Sequence, residues 1–438
     1  MDQYFKITER GSSVRTEIIG GLVTFFSMAY IIFVNPSYQE AAGMDFFAVA
    51  IATCISAALG SFLTAFMANL PFAQAPCMGL NAFFAYTLCF GWGYSWQQAL
   101  SIVLLSGIVF LVLMLTPFRR SVLTSIPPFL KDAISAGVGI FIAFLGLINA
   151  EIIVGYGNGP GFYTALGDVS RGTPLLAIIG LLITAVLIAY NVKGAVFIGI
   201  IAATVIGVPM GLTTYQPTDI SLNALSLVAG KLSFVGLLDK GILPLLTAVA
   251  SVTIIDVFDT SGAIIGMASA VGIDQKEFSE GSGGRVLIAD ALASCMGAFW
   301  GTSTVSTYIE SATGIQAGAR TGLSNIVVGI LFIAAIFLAP FARMIPVGAT
   351  APALIIVGIF MMSSAASIDW SDFEQAVSAF LTIVIMPFAY SISDGIGLGF
   401  ISYVVIKVLR GKYREVPVMM YVIAMLFFVL FILINRGI

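Results

Sequence analysis

The chain has 438 residues, of which 59% are hydrophobic and 9% charged, with a mean hydropathy of +1.05. Soluble domains carry about a quarter charged residues, so composition excludes a water-soluble globular protein and indicates a polytopic membrane protein. A formal net charge of −3 with no basic block argues against nucleic acid as a partner, and the lack of any histidine removes histidine metal sites and proton relays.

At the N-terminus, MDQYFKITERGSSVR sets Lys6, Arg10 and Arg15 ahead of the first apolar run, which no small-residue cleavage site follows. That run is expected to be a retained first span. Runs long enough to cross a bilayer fall near 17–35, 46–68, 97–115, 132–152, 174–192, 195–213, 241–265, 285–299, 321–342, 349–365, 374–390, 393–409 and 416–435. Two shorter segments, 76–91 and 302–317, are interrupted by polar residues, and counting both gives 14 or 15 crossings. Lys6, Arg10, Arg15, Arg119, Arg120, Lys131, Lys276, Arg285 and Arg320 then share one side, which the positive-inside rule makes the cytoplasm. The N-terminus is expected there, in a cell membrane of the bacterial inner-membrane type. The run 416–435, after Arg410, Lys412 and Arg414, reads as a final crossing or as a helix lying along the membrane. Cys54, Cys77, Cys89 and Cys295 lack metal-ligand spacing and read as packing residues, so neither a metal nor a cofactor is expected.

The two interrupted segments hold the third place in an early set of seven spans and the third place in a later set. An odd number of spans per repeat inverts the second copy, and paired broken spans in matching places point to a transporter site. In the first copy, AQAPCMGLNAFFAY, Pro76 and Gly79 break the chain before Asn81. Asn81 is either a ligand contact or an ordinary N-cap, and Phe83 and Phe84 are either contacts or packing. Span eight contains IIDVFDTSGAIIG, where Asp256 and Asp259 share a helical face some 16 and 19 residues beyond Lys240. Asp256 reads as internal glue or as a proton-coupling group, and Asp259 with Thr260 as substrate contacts. Asp290 is given a structural reading, and Asp394 a loop between two late spans.

The second copy, GTSTVSTYIESATGIQAGARTG, buries Glu310 among hydroxyl-bearing residues inside a run otherwise apolar enough for membrane. A carboxylate at that depth is a functional-site hypothesis by default, with Thr307 and Tyr308 as neighbouring contacts. The alternative is a capping box between Thr307 and Glu310 that merely starts a helix. Both can hold if a half-helix begins near Ser306 and aims its positive end at a ligand.

GLNAFFAY, DVFDTSGAIIG and GTSTVSTYIESATGIQAGARTG together resemble the nucleobase/ascorbate transporter superfamily, in its AzgA-like branch of guanine/hypoxanthine permeases. The resemblance runs over most of the chain. It implies an all-α fold of two inverted seven-span repeats, with discontinuous third and tenth spans carrying short extended segments. It also implies a core domain, a gate domain, a homodimer and proton symport. On this chain the core takes 1–116 and 241–343; the gate takes 117–240 and 344–438, the latter with the C-terminal hydrophobic segment. The resemblance places substrate between spans 3, 8 and 10, with base-binding carboxylates at Asp259 and Glu310 and further positions at Asn81 and Asp256. Two departures are the surplus run 416–435 and Cys77, where a glycine is expected.

The chemistry of the residues agrees with a purine nucleobase as substrate. A 6-oxopurine offers ring N–H donors and a carbonyl, which suit carboxylate acceptors and backbone amides at a half-helix start. Two acids suit an anion poorly, which argues against bicarbonate or sulfate. Burial disfavours the charged form of a carboxyl group, so an intramembrane acid can take up and release a proton. Asp259, Asp256 and Glu310 are the proton-coupling candidates. Glu310 is expected to be the constant acceptor, near the positive end of a half-helix, and Asp259, on a long apolar helix, the proton carrier. The leading function is thus a secondary active importer of guanine or hypoxanthine, not an enzyme and without catalytic residues. Behind it stand carriers of adenine, xanthine or uracil, a channel, and an intramembrane aspartyl enzyme, which lacks its expected G-x-G-D signature here.

Overall fold

In lipid no backbone N–H or C=O can be left unpaired, so spanning segments are helical and every break must be repaired from within the protein. The computed structural model describes residues 2–116, 127–156, 163–213, 222–271, 281–338, 344–389 and 391–434. In chain order the helices of the first half are α1 (Asp2–Phe5), α2 (Val14–Met28), α3 (Ile31–Ala41), α4 (Phe46–Met67), α5 (Met78–Ala82), α6 (Trp96–Leu115), α7 (Pro128–Asn149), α8 (Gly172–Ala189) and α9 (Ala195–Gly207). Helix α5 continues as π-helix over Phe83–Gly91. The second half has α10 (Ile242–Val271), α11 (Ser282–Trp300), α12 (Ser311–Gln316), α13 (Leu323–Ala335), α14 (Val347–Met362), α15 (Phe373–Phe388), α16 (Ile392–Leu409) and α17 (Val418–Ile434). Among the described residues, 7 helical stretches are long and apolar enough to cross a bilayer, counting Val14–Ala41 as one, and shorter apolar helices accompany them.

Helix starts follow local chemistry. Ser13 and Asp45 accept the backbone N–H of Thr16 and Ala48, Ser95 and Gln98 form a capping box, and Pro128 opens α7 where no N–H is needed. Two details depart from the sequence reading. The first span is two helices, because the chain turns at Ala29 and Tyr30. After α7 come two paired antiparallel strands, β2 (Ile153–Tyr156) and β3 (Tyr163–Leu166), that the alternation of residues did not announce.

The helices sort into two packed groups. Helices α2 to α6 pack with α10 to α13, and α7 to α9 pack with α14 to α16. The groups touch where α7 meets α5 and α10, and where α9 meets α2. The anticipated boundaries at 116/117 and near 343 adjoin residues outside the described set. The segment 222–240 packs on the first group: residues 222–227 lie on α4, Gly230 N–H donates to Phe299 O at 2.7 Å, and Ser101 donates to Ser233 O at 2.9 Å.

The N-terminal segment and the ends of α4 and α12 lie at one face. Arg10 donates to the carbonyls of Asn69 and Arg320 at 2.7 and 3.1 Å, and the buried Glu17 carboxylate accepts the backbone N–H groups of Arg320 and Thr321.

Within the second group α7 and α14 cross with no room for a side chain: a Cβ on Gly358 would lie 2.4 Å from Gly139 O. Small residues at such crossings let membrane helices approach closely. Gly358→Val is expected to lower stability by about 1–3 kcal/mol through overpacking, read as a drop in melting temperature of the detergent-purified protein.

Candidate functional site

The site is organised by two very short strands. β1 (Gln74–Pro76) and β4 (Val305–Thr307) pair antiparallel, with Gln74 opposite Thr307, Ala75 opposite Ser306 and Pro76 opposite Val305. Cys77 N–H to Thr304 O at 2.8 Å and Tyr308 N–H to Ala73 O at 2.9 Å extend the ladder at both ends. Hydroxyls from neighbouring helices satisfy the outer backbone: Ser61 bonds both the N–H and the carbonyl of Gln74, Ser311 accepts Ala73 N–H, and Ser294 donates to Val305 O. The density of Ser and Thr in these segments therefore has a backbone-pairing function.

The ribbon separates two half-helices. Helix α5 begins at Met78, with Cys77 as its N-cap, so Asn81 lies inside the helix and is not its cap. Helix α12 begins at Ser311, five residues beyond the expected start near Ser306, because 305–307 are strand. The capping box between Thr307 and Glu310 does not form. Thr307 Oγ1 instead donates to Asp290 Oδ1 at 3.2 Å, and Glu310 makes no side-chain cap.

Four carboxylates surround the ribbon in two kinds of setting. Asp290 is wholly buried and accepts from Gln74 Nε2 at 3.1 Å, Thr307 Oγ1 at 3.2 Å and Thr260 Oγ1 at 2.8 Å. It thereby ties β1, β4 and α10 together, a structural part consistent with its reading from sequence. Asp256 is also buried, and its Oδ2 lies 3.0 Å from Ser294 Oγ, sharing that hydroxyl's one proton with Val305 O. Asp259 and Glu310 are partly exposed. Asp259 Oδ2 accepts from Cys77 Sγ and Ser306 Oγ, both at 3.3 Å, and Glu310 Oε1 accepts from the Tyr30 hydroxyl at 2.5 Å.

The remaining candidates are buried around these groups. Thr260 and Thr307 are engaged with Asp290, and Tyr308 donates its hydroxyl to Pro76 O at 2.6 Å. Phe83 is fully buried and stands edge-on to Trp92, with ring centroids 6.3 Å apart. Asn81 Oδ1 accepts from Ser303 Oγ, and its Nδ2 has no partner among the described residues.

Tyr30, Gln74, Cys77 and Ser306 were not singled out as site residues by sequence. A polar aromatic at mid-span and a glutamine just ahead of the Pro76 break were the available signals for Tyr30 and Gln74. Cys77, read as packing, instead bonds a carboxylate. Among the described residues no cluster of metal-ligating side chains occurs, and the donor set offers neutral hydroxyls, amides and two accessible carboxylates.

The Xan_ur_permease family model, described as a permease family, matches residues 15–398. The chain belongs to this permease family. The three motifs pointed to the same nucleobase/ascorbate grouping. The chain is 41% identical over 443 residues to the guanine/hypoxanthine permease PbuG of Bacillus subtilis (strain 168), covering 99% of each. It is 39% identical over 427 residues to the adenine permease AdeP of Escherichia coli (strain K12), covering 98% of this chain and 95% of that protein. Among solved structures, the transmembrane domain of a cyanobacterium bicarbonate transporter, BicA, matches with a TM-score of 0.63 at 15% identity, over 89% of this chain and 97% of that one. That likeness concerns fold alone. The protein is thus a multi-pass membrane permease of this permease family rather than an aspartyl enzyme.

Removing the Asp290 carboxylate would leave the buried hydroxyls of Thr260 and Thr307 without their acceptor, each worth about 1–3 kcal/mol when unpaired, and Gln74 Nε2 with Thr307 Oγ1 alone. Asp290→Leu is therefore expected to lower the melting temperature of the purified protein more than Asp394→Leu does, and to weaken ligand binding by loosening the ribbon.

Proposed function

We propose that the protein imports purine nucleobases by proton symport, with the two helix groups moving against each other to expose the ribbon alternately to the two sides of a cell membrane. The observation that carries this reading is the convergence of two partly exposed carboxylates, Asp259 and Glu310, on a ribbon between two half-helices. Such an arrangement suits a neutral, donor-rich ring, whose N–H groups the carboxylates accept. Asn81 Nδ2, unpaired among the described residues, can donate to a ring carbonyl. Relatives named as guanine/hypoxanthine and adenine permeases support the substrate class. The near-equal identity to both kinds keeps adenine as a second reading.

In this mechanism the helix groups rotate about proline-marked starts, Pro127 and Pro128 at the start of α7 and Pro346 before α14. The cytoplasm holds the N-terminus, and a homodimer is the working assembly. The coupled proton rides on an acid, since the chain has no histidine. Uptake of radiolabelled hypoxanthine into cells should be competed by guanine, hypoxanthine or adenine, should collapse with a protonophore and should ignore sodium. Sodium-dependent, protonophore-resistant uptake would reject the coupling, and failure of every purine to compete would reject the substrate class.

The two carboxylates divide the work. Glu310 is the standing acceptor for a ring N–H, and Asp259 binds and releases the proton. Glu310→Gln replaces an acceptor with a donor and should cost about 1–3 kcal/mol of binding. Asp259→Asn imitates a permanently protonated acid, so it should bind and exchange base but fail to accumulate it. Equilibrium binding and counterflow on the two purified variants check this, and undiminished binding by the first with normal accumulation by the second would refute it.

A further inference from the structure

Helices α2 and α12 run antiparallel and touch along their shared length. At the end remote from the ribbon, the wholly buried Glu17 accepts the backbone N–H groups of Arg320 at 2.8 Å and Thr321 at 3.3 Å. Further along, a Cβ on Gly20 would lie 2.6 Å from Ala319 Cβ, and one on Gly314 would lie 2.1 Å from Thr24 Oγ1. Thr313 Oγ1 is 3.0 Å from Ser27 Oγ, and the last contact is the Tyr30 hydroxyl on Glu310 Oε1 at 2.5 Å. This line of contacts joins Glu17 to an accessible carboxylate about 20 Å away along the helix.

Helix α12 has six residues, too few to keep a helical shape unaided, so its direction is set by what grips its two ends. The ribbon grips one. At the other, the Arg320 guanidinium donates to Ile315 O and Ala319 O at 2.6 and 2.7 Å, covering carbonyls that the end of a helix leaves open. Glu17 holds the backbone of that same arginine just ahead of α13, whose N-terminus favours a negative charge. The small residues between leave α12 no space to slide across α2 without a clash.

We propose that Glu17 is a positioning residue for substrate: by fixing the far end of α12 on α2 it sets where Glu310 stands, without itself touching the base. This rests on the nucleobase reading of the site, in which Glu310 accepts a ring N–H.

The test is a double-mutant cycle, read by equilibrium binding of radiolabelled hypoxanthine to the purified full-length protein, with affinity and number of sites fitted separately. Glu17→Gln keeps one acceptor and sets an amide donor against the second N–H, so affinity should fall about tenfold, the scale of one impaired hydrogen bond. In Glu310→Gln the acceptor is already lost, so adding Glu17→Gln should change affinity by about twofold at most. A merely structural Glu17 would reduce the number of sites at unchanged affinity, or weaken both backgrounds equally. Either result overturns the proposal. Should Glu17→Gln not survive purification, Glu17→Asp, which keeps the charge one methylene short, takes its place with the same outcomes. If Glu310→Gln binds too weakly to titrate, amide hydrogen exchange decides: the Glu17 variant should quicken it over 311–316 but not over 253–260, and any other pattern rejects the proposal. Binding that Glu310→Gln leaves intact defeats both the positioning role and the acceptor role of Glu310 while the substrate class stands. A wild type that binds neither hypoxanthine, guanine nor adenine defeats the substrate class as well.

Discussion

Two helices of this protein stop part-way through the membrane, and the exposed backbone of each is satisfied by the other. An unpaired amide or carbonyl in hydrocarbon costs several kcal/mol, so neither β1 nor β4 is tenable alone. Their pairing, Gln74 opposite Thr307 through Pro76 opposite Val305, fixes the relative position of the two half-helices. The hydroxyls of Ser61, Ser294 and Ser311 complete the outer edges. Several of the residues that hold carboxylates here, Gln74, Cys77, Ser306 and Thr307, belong to the ribbon or adjoin it, so part of the site's chemistry and the solution to the backbone problem share residues.

The acids sort by what they touch. Charged side chains at the bilayer centre cost about 2.5–3.5 kcal/mol on insertion scales, a penalty that three accepted hydrogen bonds at Asp290 are large enough to offset. Asp290 holds together elements from three parts of the chain and is closed to solvent. Asp259 and Glu310 accept fewer bonds and keep partial exposure. An acid that retains unused acceptor capacity and an open side is equipped to exchange partners, whereas one that is saturated and closed is equipped to hold shape.

The sequence made the broken spans legible because Pro76, Gly79 and the Ser/Thr run interrupt otherwise continuous apolar stretches, and a carboxylate at Glu310 cannot face lipid. Asp259 was legible for the same reason. Local rules failed where distant partners outbid local ones. Thr307 and Glu310 have the spacing of a capping box, yet the pull of strand pairing with Gln74 and of Asp290 places Thr307 in a strand. Asn81 looks like a cap because polar residues after a break often are, but Pro76 and Cys77 had already ended the extended segment. Tyr30 was illegible: its partner lies 280 residues away, and a tyrosine within an apolar run is indistinguishable from packing until the fold brings a carboxylate to it.

The ribbon also dictates an order of events during synthesis. Gln74 and Thr307 are 233 residues apart, so β1 and α5 leave the ribosome long before their partner exists. At roughly 5–20 residues per second the wait is on the order of 10–50 s. Through that interval the first broken span must be sheltered by the insertion machinery or held at the aqueous margin, because lipid offers its backbone nothing to bond. Biogenesis of this permease is therefore committed only when the tenth span arrives, and a truncated chain ending before it would remain a substrate for membrane quality control.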